Sequence, residues 1–243
     1  MSAFGKVALV GSGEYLPAML ELERDLLNAG NSDRYVQIPT AAGRESASRL
    51  DFWRELGYEQ AKRLDASQIF LPIYSREDAF NDDLVKQIDG AGLIYLSGGD
   101  PHYLAATLLG TPVLDAIINS WRSGTSLAGC SAGAMALGPD IPHFRKPKAE
   151  GELGFSIAKN IRTIPHYNKF FGWVPEFAAQ KFLQAPAEIC VVGIDELTAI
   201  VTDDLENWEV VGRSSMHLLK GNNPGIYKAG ARVKIWSPPS GLN

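Results

Sequence analysis

A chain of 243 residues can hold one full-sized hydrophobic core but not two large domains, since single cores stop growing at about 250–300 residues. With 45% hydrophobic and 21% charged residues it has the profile of a folded protein rather than a disordered one, and one domain covering 1–243 is expected. The net charge of -5, without a long run of Lys or Arg, argues against a nucleic-acid or anionic-membrane surface and leaves a small molecule or short peptide as the expected partner.

Met1 leads directly into an apolar run and a Gly turn, without the charged leader and longer apolar stretch of a secretory signal. No apolar stretch reaches the ~20 residues needed to span a bilayer. Cys130 and Cys190 lie inside apolar segments rather than at disulfide or zinc spacings, so a cytoplasmic protein with reduced thiols is expected. Short β-branched runs alternate with stretches of helical period, which predicts parallel strands joined by crossover helices. The first strand is Lys6–Val10, ending in Gly11-Ser12-Gly13 and followed by a helix over Pro17 to Leu27. Tyr35–Pro39 is a second strand, with a loop and a helix reaching Ala61. Gln68–Ile73 is a third. Leu93–Ser97 is a fourth, running into Gly98-Gly99-Asp100 and a helical stretch from Tyr103 to Arg122; Ser126–Cys130 is a fifth. The proline-rich, charged segment GPDIPHFRKPKAEGELG reads as a surface loop. Beyond it Ile161–Ile164 and Glu188–Ile194 are strands, and Thr198–Asp203, Trp208–Gly212 and Arg232–Trp236 suggest antiparallel strands at a C-terminal edge. The expected fold class is α/β: a single three-layer domain with a mostly parallel central sheet.

Gly129-Cys130-Ser131-Ala132-Gly133 matches G-x-S-x-G, in which small residues let a sharp strand-to-helix turn expose a serine. The string alone arises by chance in roughly one such chain in six, but here it follows an apolar strand and precedes a run of helix formers, as the motif requires. Ser97-Gly98-Gly99-Asp100 ends the preceding strand, and in a parallel sheet the two turns lie side by side at the strands' carboxyl ends, where ligands bind. The amides of Gly99 and Ala132 could then converge as an oxyanion hole, with Gly98, Asp100 and His102 lining the substrate side. A serine nucleophile needs a base, and the four histidines are His102, His143, His166 and His217. His166 follows a strand-like stretch and Pro165, as a base presented from a neighbouring strand end would. His143 in the loop and His217 near the C-terminal edge read as packing or surface residues. Gly11-Ser12-Gly13 lacks the third glycine and the lysine of a nucleotide loop.

The opening strand into GSGE, IPTAAG, YLSGGDPHYL, LAGCSAGAMALG, ELGF followed by IPHY, and VVGIDELTAIV together resemble the dipeptidase E and cyanophycinase family of serine peptidases, in the family's order over roughly Lys6 to Gly212. The resemblance implies a class I glutamine amidotransferase-like (flavodoxin-like) fold, Ser131 as nucleophile, His166 as base, a Gly99/Ala132 oxyanion hole, and cleavage of peptide or isopeptide bonds beside aspartate. It also implies an acidic residue in the loop between serine and histidine. Asp140, Glu150 and Glu152 are the candidates, and Glu150 is taken as the third catalytic residue. Arg145, Lys146, Lys148, Arg162 and Lys169 are basic residues that could meet an acidic side chain. The expected partner is a small peptide, with no metal, organic cofactor, nucleic acid or membrane, and a homodimer is allowed. Two other readings are a non-catalytic ligand-binding homologue and an amidohydrolase or amidotransferase-like enzyme using Cys130. The latter fails on register and lacks the H-x-E arrangement, because Asn168 stands two residues after His166.

Overall fold

The computed structural model describes residues 4–143, 151–173 and 184–236. In chain order its strands are β1 (Val7–Val10), β2 (Arg34–Ile38), β3 (Ser67–Phe70), β4 (Leu93–Leu96), β5 (Ser126–Cys130), β6 (Asp140–Ile141), β7 (Glu152–Leu153), β8 (Ile161–Ile164), β9 (Cys190–Ile194), β10 (Thr198–Thr202), β11 (Asn207–Gly212), β12 (Ser215–Lys220), β13 (Gly225–Lys228) and β14 (Arg232–Lys234). Its helices are α1 (Leu20–Ala29), α2 (Ala47–Leu64), α3 (Asp82–Lys86), α4 (Pro101–Leu108), α5 (Pro112–Arg122), α6 (Ala132–Ala136) and α7 (Tyr167–Trp173).

The main sheet has eight strands in the order β14-β11-β10-β1-β5-β4-β2-β3. From β1 to β3 every pairing is parallel, and β10, β11 and β14 extend the sheet antiparallel beyond β1. Of the parallel strands, β1, β4 and β5 are buried at every position and read as largely apolar runs, as buried parallel strands do. The side-chain alternation of a strand divides the core in two. Ala8, Val10, Tyr35, Leu93, Tyr95, Ala128 and Cys130 pack towards Leu22 and Leu26 of α1 and Ala61 of α2. Val7, Leu9, Val36, Ile94, Leu96 and Leu127 pack towards Leu104 of α4, Ile117 of α5 and Met135 of α6. The result is a three-layer α/β domain with a mostly parallel sheet and an antiparallel C-terminal edge.

Two expectations are corrected. The helical stretch from Tyr103 to Arg122 is two helices, α4 and α5, meeting at 94°. Gly110 takes φ 68°, and Thr111 caps a helix whose first residue is Pro112, a residue that starts helices but cannot continue them. The strands β8 and β9 do not join the main sheet. They form a second, four-stranded sheet in the order β13-β12-β9-β8, with β8 and β9 parallel. The chain crosses from this sheet to the main one in the turn Asp195–Leu197, between β9 and β10. Among the described residues no single helix is long and apolar enough to cross a membrane.

Candidate active site

Ser131 sits between β5 and α6 with φ 50° and ψ -107°, outside the regions an L-residue ordinarily occupies. Such backbone strain costs about 1–3 kcal/mol and persists where the surroundings enforce it. Here they do: the Ser131 N–H donates to Val10 O (2.9 Å) while its carbonyl accepts from Met135 N–H (3.1 Å). One peptide thus ends the sheet ladder and the next begins the helix. The helix α6 is only five residues long, so its contribution at Ser131 comes from unpaired N–H groups rather than from a long macrodipole.

His166 follows β8 and also has positive φ (50°). Its N–H donates to Gly11 O at 3.3 Å, so the Gly11-Ser12-Gly13 turn braces the histidine. The ring reaches Ser131 Oγ through Nε2 at 3.0 Å and Glu196 Oε1 through Nδ1 at 3.2 Å. Because β8 lies in the second sheet, this histidine comes from across the sheet boundary rather than from a strand neighbouring β5. Glu196 comes from the crossing turn. Its Oε2 is 2.7 Å from Lys169 Nζ, and its N–H donates to Asn168 Oδ1 (3.1 Å). The hydrogen bond from Lys169, and then that with His166, hold the Glu196 carboxyl below its ordinary range, so it faces His166 as an anion at neutral pH.

Among the described residues the carboxylate on His166 is Glu196, not Asp140 or Glu152. Glu150 lies outside the described residues, as do Arg145, Lys146 and Lys148. Asp140 forms an ion pair with Arg162, its Oδ1 accepting from Nε at 3.1 Å. Glu152 approaches His102 Nδ1 (3.2 Å) and His143 Nε2 (3.5 Å). Glu196 is in the string GIDEL, beyond the histidine, where a search confined to the loop between serine and histidine does not look.

The N–H groups of Gly99 and Ala132 donate to no acceptor among the described residues, which leaves both available to a ligand. Gly99 has φ 141°, and a β-carbon there would stand 2.4 Å from Ala41 O, so only glycine fits this turn. A β-carbon on Gly98 would lie 3.3 Å from Ser131 Cβ, which places the two turns against each other. Asp100 Oδ1 caps α4, accepting from His102 N–H (2.9 Å) and Tyr103 N–H (3.1 Å). The ring of His102 stacks on His143 at 4.1 Å and 13°. His102, His143 and Glu152 offer three donor atoms within 4.8 Å of one another. Donor atoms at this spacing could hold a metal ion. His217 pairs with Asp195 (3.1 Å), away from Ser131.

Cys130 points the other way, fully buried in the layer under α1. Its thiol donates to Glu14 Oε2 at 3.0 Å, and burial, then the Glu14 charge, push its pKa well above the ordinary thiol value. A neutral, enclosed thiol is a poor nucleophile.

A serine, an imidazole and an anionic carboxylate in line, beside two open amides, define a site of the serine-hydrolase class. The chain belongs to peptidase family S51, whose model matches residues 7–208. It is similar to the cyanophycinase of Synechococcus elongatus, 30% identical over 229 residues that make up 88% of this chain and 67% of the relative. It also resembles that of Nostoc sp., 32% identical over 115 residues, 45% of this chain and 36% of the relative, so the match spans about a third of the Nostoc protein. Among solved structures, a peptidase from an acI-B1 Actinobacterium superposes with a TM-score of 0.92 at 48% identity, covering 95% of this chain and 97% of the other. A putative peptidase E protein from Listeria monocytogenes has the same fold, with a TM-score of 0.62 at 20% identity, covering 86% and 98% of the two chains.

Proposed function

We propose that this chain is a serine peptidase that cleaves short peptides or isopeptides at bonds beside aspartate, with Ser131 on a nucleophile elbow, His166 as general base and Glu196 as the residue that orients it. The observation that carries this reading is the Ser131–His166–Glu196 chain of contacts at 3.0 and 3.2 Å. His166 Nε2 takes the Ser131 proton as Oγ attacks the scissile carbonyl. Glu196 holds Nδ1–H and stabilises the imidazolium, which then gives its proton to the leaving amine. The N–H groups of Gly99 and Ala132 receive the developing oxyanion, and water, deprotonated by His166, releases the acyl group. Every step uses groups of the chain itself. The preference for aspartate is what the resemblance of YLSGGDPHYL and LAGCSAGAMALG to the dipeptidase E and cyanophycinase family implies. The amidotransferase-like assignment of the fold is part of the same reading, supported by the parallel strands β1 to β5 with the serine turn at the carboxyl end of β5. So is a cytoplasmic location, supported by cysteines set inside apolar segments rather than at disulfide spacings.

The test is turnover of a short peptide library containing Asp-X and isoaspartyl bonds by the wild type and by Ser131→Ala. The expected result is cleavage of at least one member by the wild type and none by the variant. A wild type that cleaves no member, or a variant that keeps the wild-type rate, would refute the assignment.

A further inference from the structure

We propose that Glu14 is a positioning residue of the Ser131 site: its buried carboxylate ties the Gly98–Gly99 turn to the Cys130–Ser131 turn and so sets where the Gly99 N–H points. The proposal rests on the serine-hydrolase reading and adds to it a residue that touches neither substrate nor reacting atoms.

The two turns leave the ends of adjacent strands, β4 and β5, and each is built of small residues whose side chains cannot lock them together. Glu14 supplies the lock from beneath. It follows β1 in the turn that also braces His166, and it is 8% exposed. Its Oε1 accepts the Gly98 N–H at 2.9 Å and its Oε2 accepts the Cys130 thiol at 3.0 Å. One planar carboxylate therefore holds a group in each turn at a fixed separation. The neighbouring residue repeats the tie: the hydroxyl of Tyr15, which has φ 61°, pairs with Ser97 Oγ at 2.7 Å. Tyr15 is itself held by its N–H, which donates to Glu23 Oε1 at 3.2 Å.

The consequence for chemistry follows from peptide geometry. Glu14 fixes the peptide between Ser97 and Gly98, and the next peptide unit carries the Gly99 N–H. With Gly99 at φ 141° against Ala41 O, little freedom remains once Gly98 is pinned. An oxyanion donor works only when it already points at the position the anion will take. Without the carboxylate the buried Gly98 N–H has no acceptor, and the turn relaxes to find one. This also gives Cys130 a role that its position beside the nucleophile does not suggest: it is a buried donor to Glu14, and its removal leaves the Gly98 bond in place.

The experiment compares Glu14→Ala, Glu14→Asp, Glu14→Gln and Cys130→Ala with the wild type and Ser131→Ala. It uses steady-state turnover of the best peptide substrate, the rate of fluorophosphonate labelling, and urea unfolding. Glu14→Ala is expected to lower kcat about 10²-fold, the size of a misplaced reacting geometry, with KM nearly unchanged and the labelling rate falling in parallel. Glu14→Gln restores most of kcat, because its amide oxygen still accepts the Gly98 N–H, and Cys130→Ala, which releases one end of the tie but leaves the Gly98 bond, lowers kcat by less than Glu14→Ala. If Glu14→Ala does not fold, Glu14→Asp carries the test: it keeps the charge but cannot span both turns, so kcat falls while the unfolding midpoint stays near that of the wild type. Wild-type kcat in Glu14→Ala and Glu14→Asp overturns the proposal. So does a fall in which kcat, KM and stability move together and Glu14→Gln restores none of them. A wild type that neither turns over nor labels is distinguishable from both, and it refutes the hydrolase reading and the proposal with it.

Discussion

The side chains of the site divide by what they can do to a proton. Ser131 Oγ is 3.0 Å from His166 Nε2, whereas the adjacent Cys130 is buried with its thiol kept neutral by burial and Glu14. The tight turn sends neighbouring side chains to opposite sides of the sheet. His166→Ala is expected to abolish turnover as fully as the serine change, because residues that act as one unit lose their contribution together. Glu196→Gln keeps the shape but removes the charge behind the imidazole, and kcat should fall on the order of 10²–10⁴-fold with the fold intact, by comparison with the same change in other serine triads. Steady-state kinetics of the two variants checks both; a Glu196→Gln rate within a few-fold of the wild type would remove Glu196 from the mechanism. That Ser131 and His166 come together was legible in the sequence, because a rigid local motif and a short list of histidines limit the choice. Glu196 was not, since its place on His166 depends on a turn between two sheets that no local pattern encodes.

At the scale of elements, the parallel strands β1 to β5 and the turns that end them could be read from apolar runs and glycine punctuation. The assignment of β8 and β9 to a second sheet could not: both are buried along their whole length, and a strand buried on both faces does not reveal which sheet it joins. The layer under α1 also held something the pattern concealed. Glu23 lies on the buried face of α1, where Tyr35 Oη donates to its Oε2 at 2.7 Å, and burial first of all raises its pKa from 4.5 to about 7. A carboxyl with a raised folded pKa stabilises the fold fully below pH 4.5. That contribution is lost as pH rises through about 7, because the folded state binds the proton more tightly across that window. The loss amounts to about 3 kcal/mol. Glu23→Gln, which keeps an acceptor for Tyr35, should lack this slope. Urea unfolding at pH 5 and pH 8 measures it; an unchanged difference between the two pH values in the variant would show that Glu23 is not protonated in the fold.

For the whole molecule, the site exists because three bodies of structure meet at one point. The parallel half of the main sheet brings the serine turn, the second sheet brings the histidine, and the crossing turn brings the glutamate. The sequence announced an α/β domain with an antiparallel edge, and its family strings span most of the chain. It did not announce that His166 and Glu196 arrive from outside the main sheet, which is a matter of long-range packing. The most direct measurement of the central claim is mass-spectrometric mapping of a fluorophosphonate on the folded protein. The account predicts one modified residue, Ser131, in the wild type. It predicts the same residue in Cys130→Ala, and no label in Ser131→Ala. A label on another residue, or an unlabelled wild type, would contradict it.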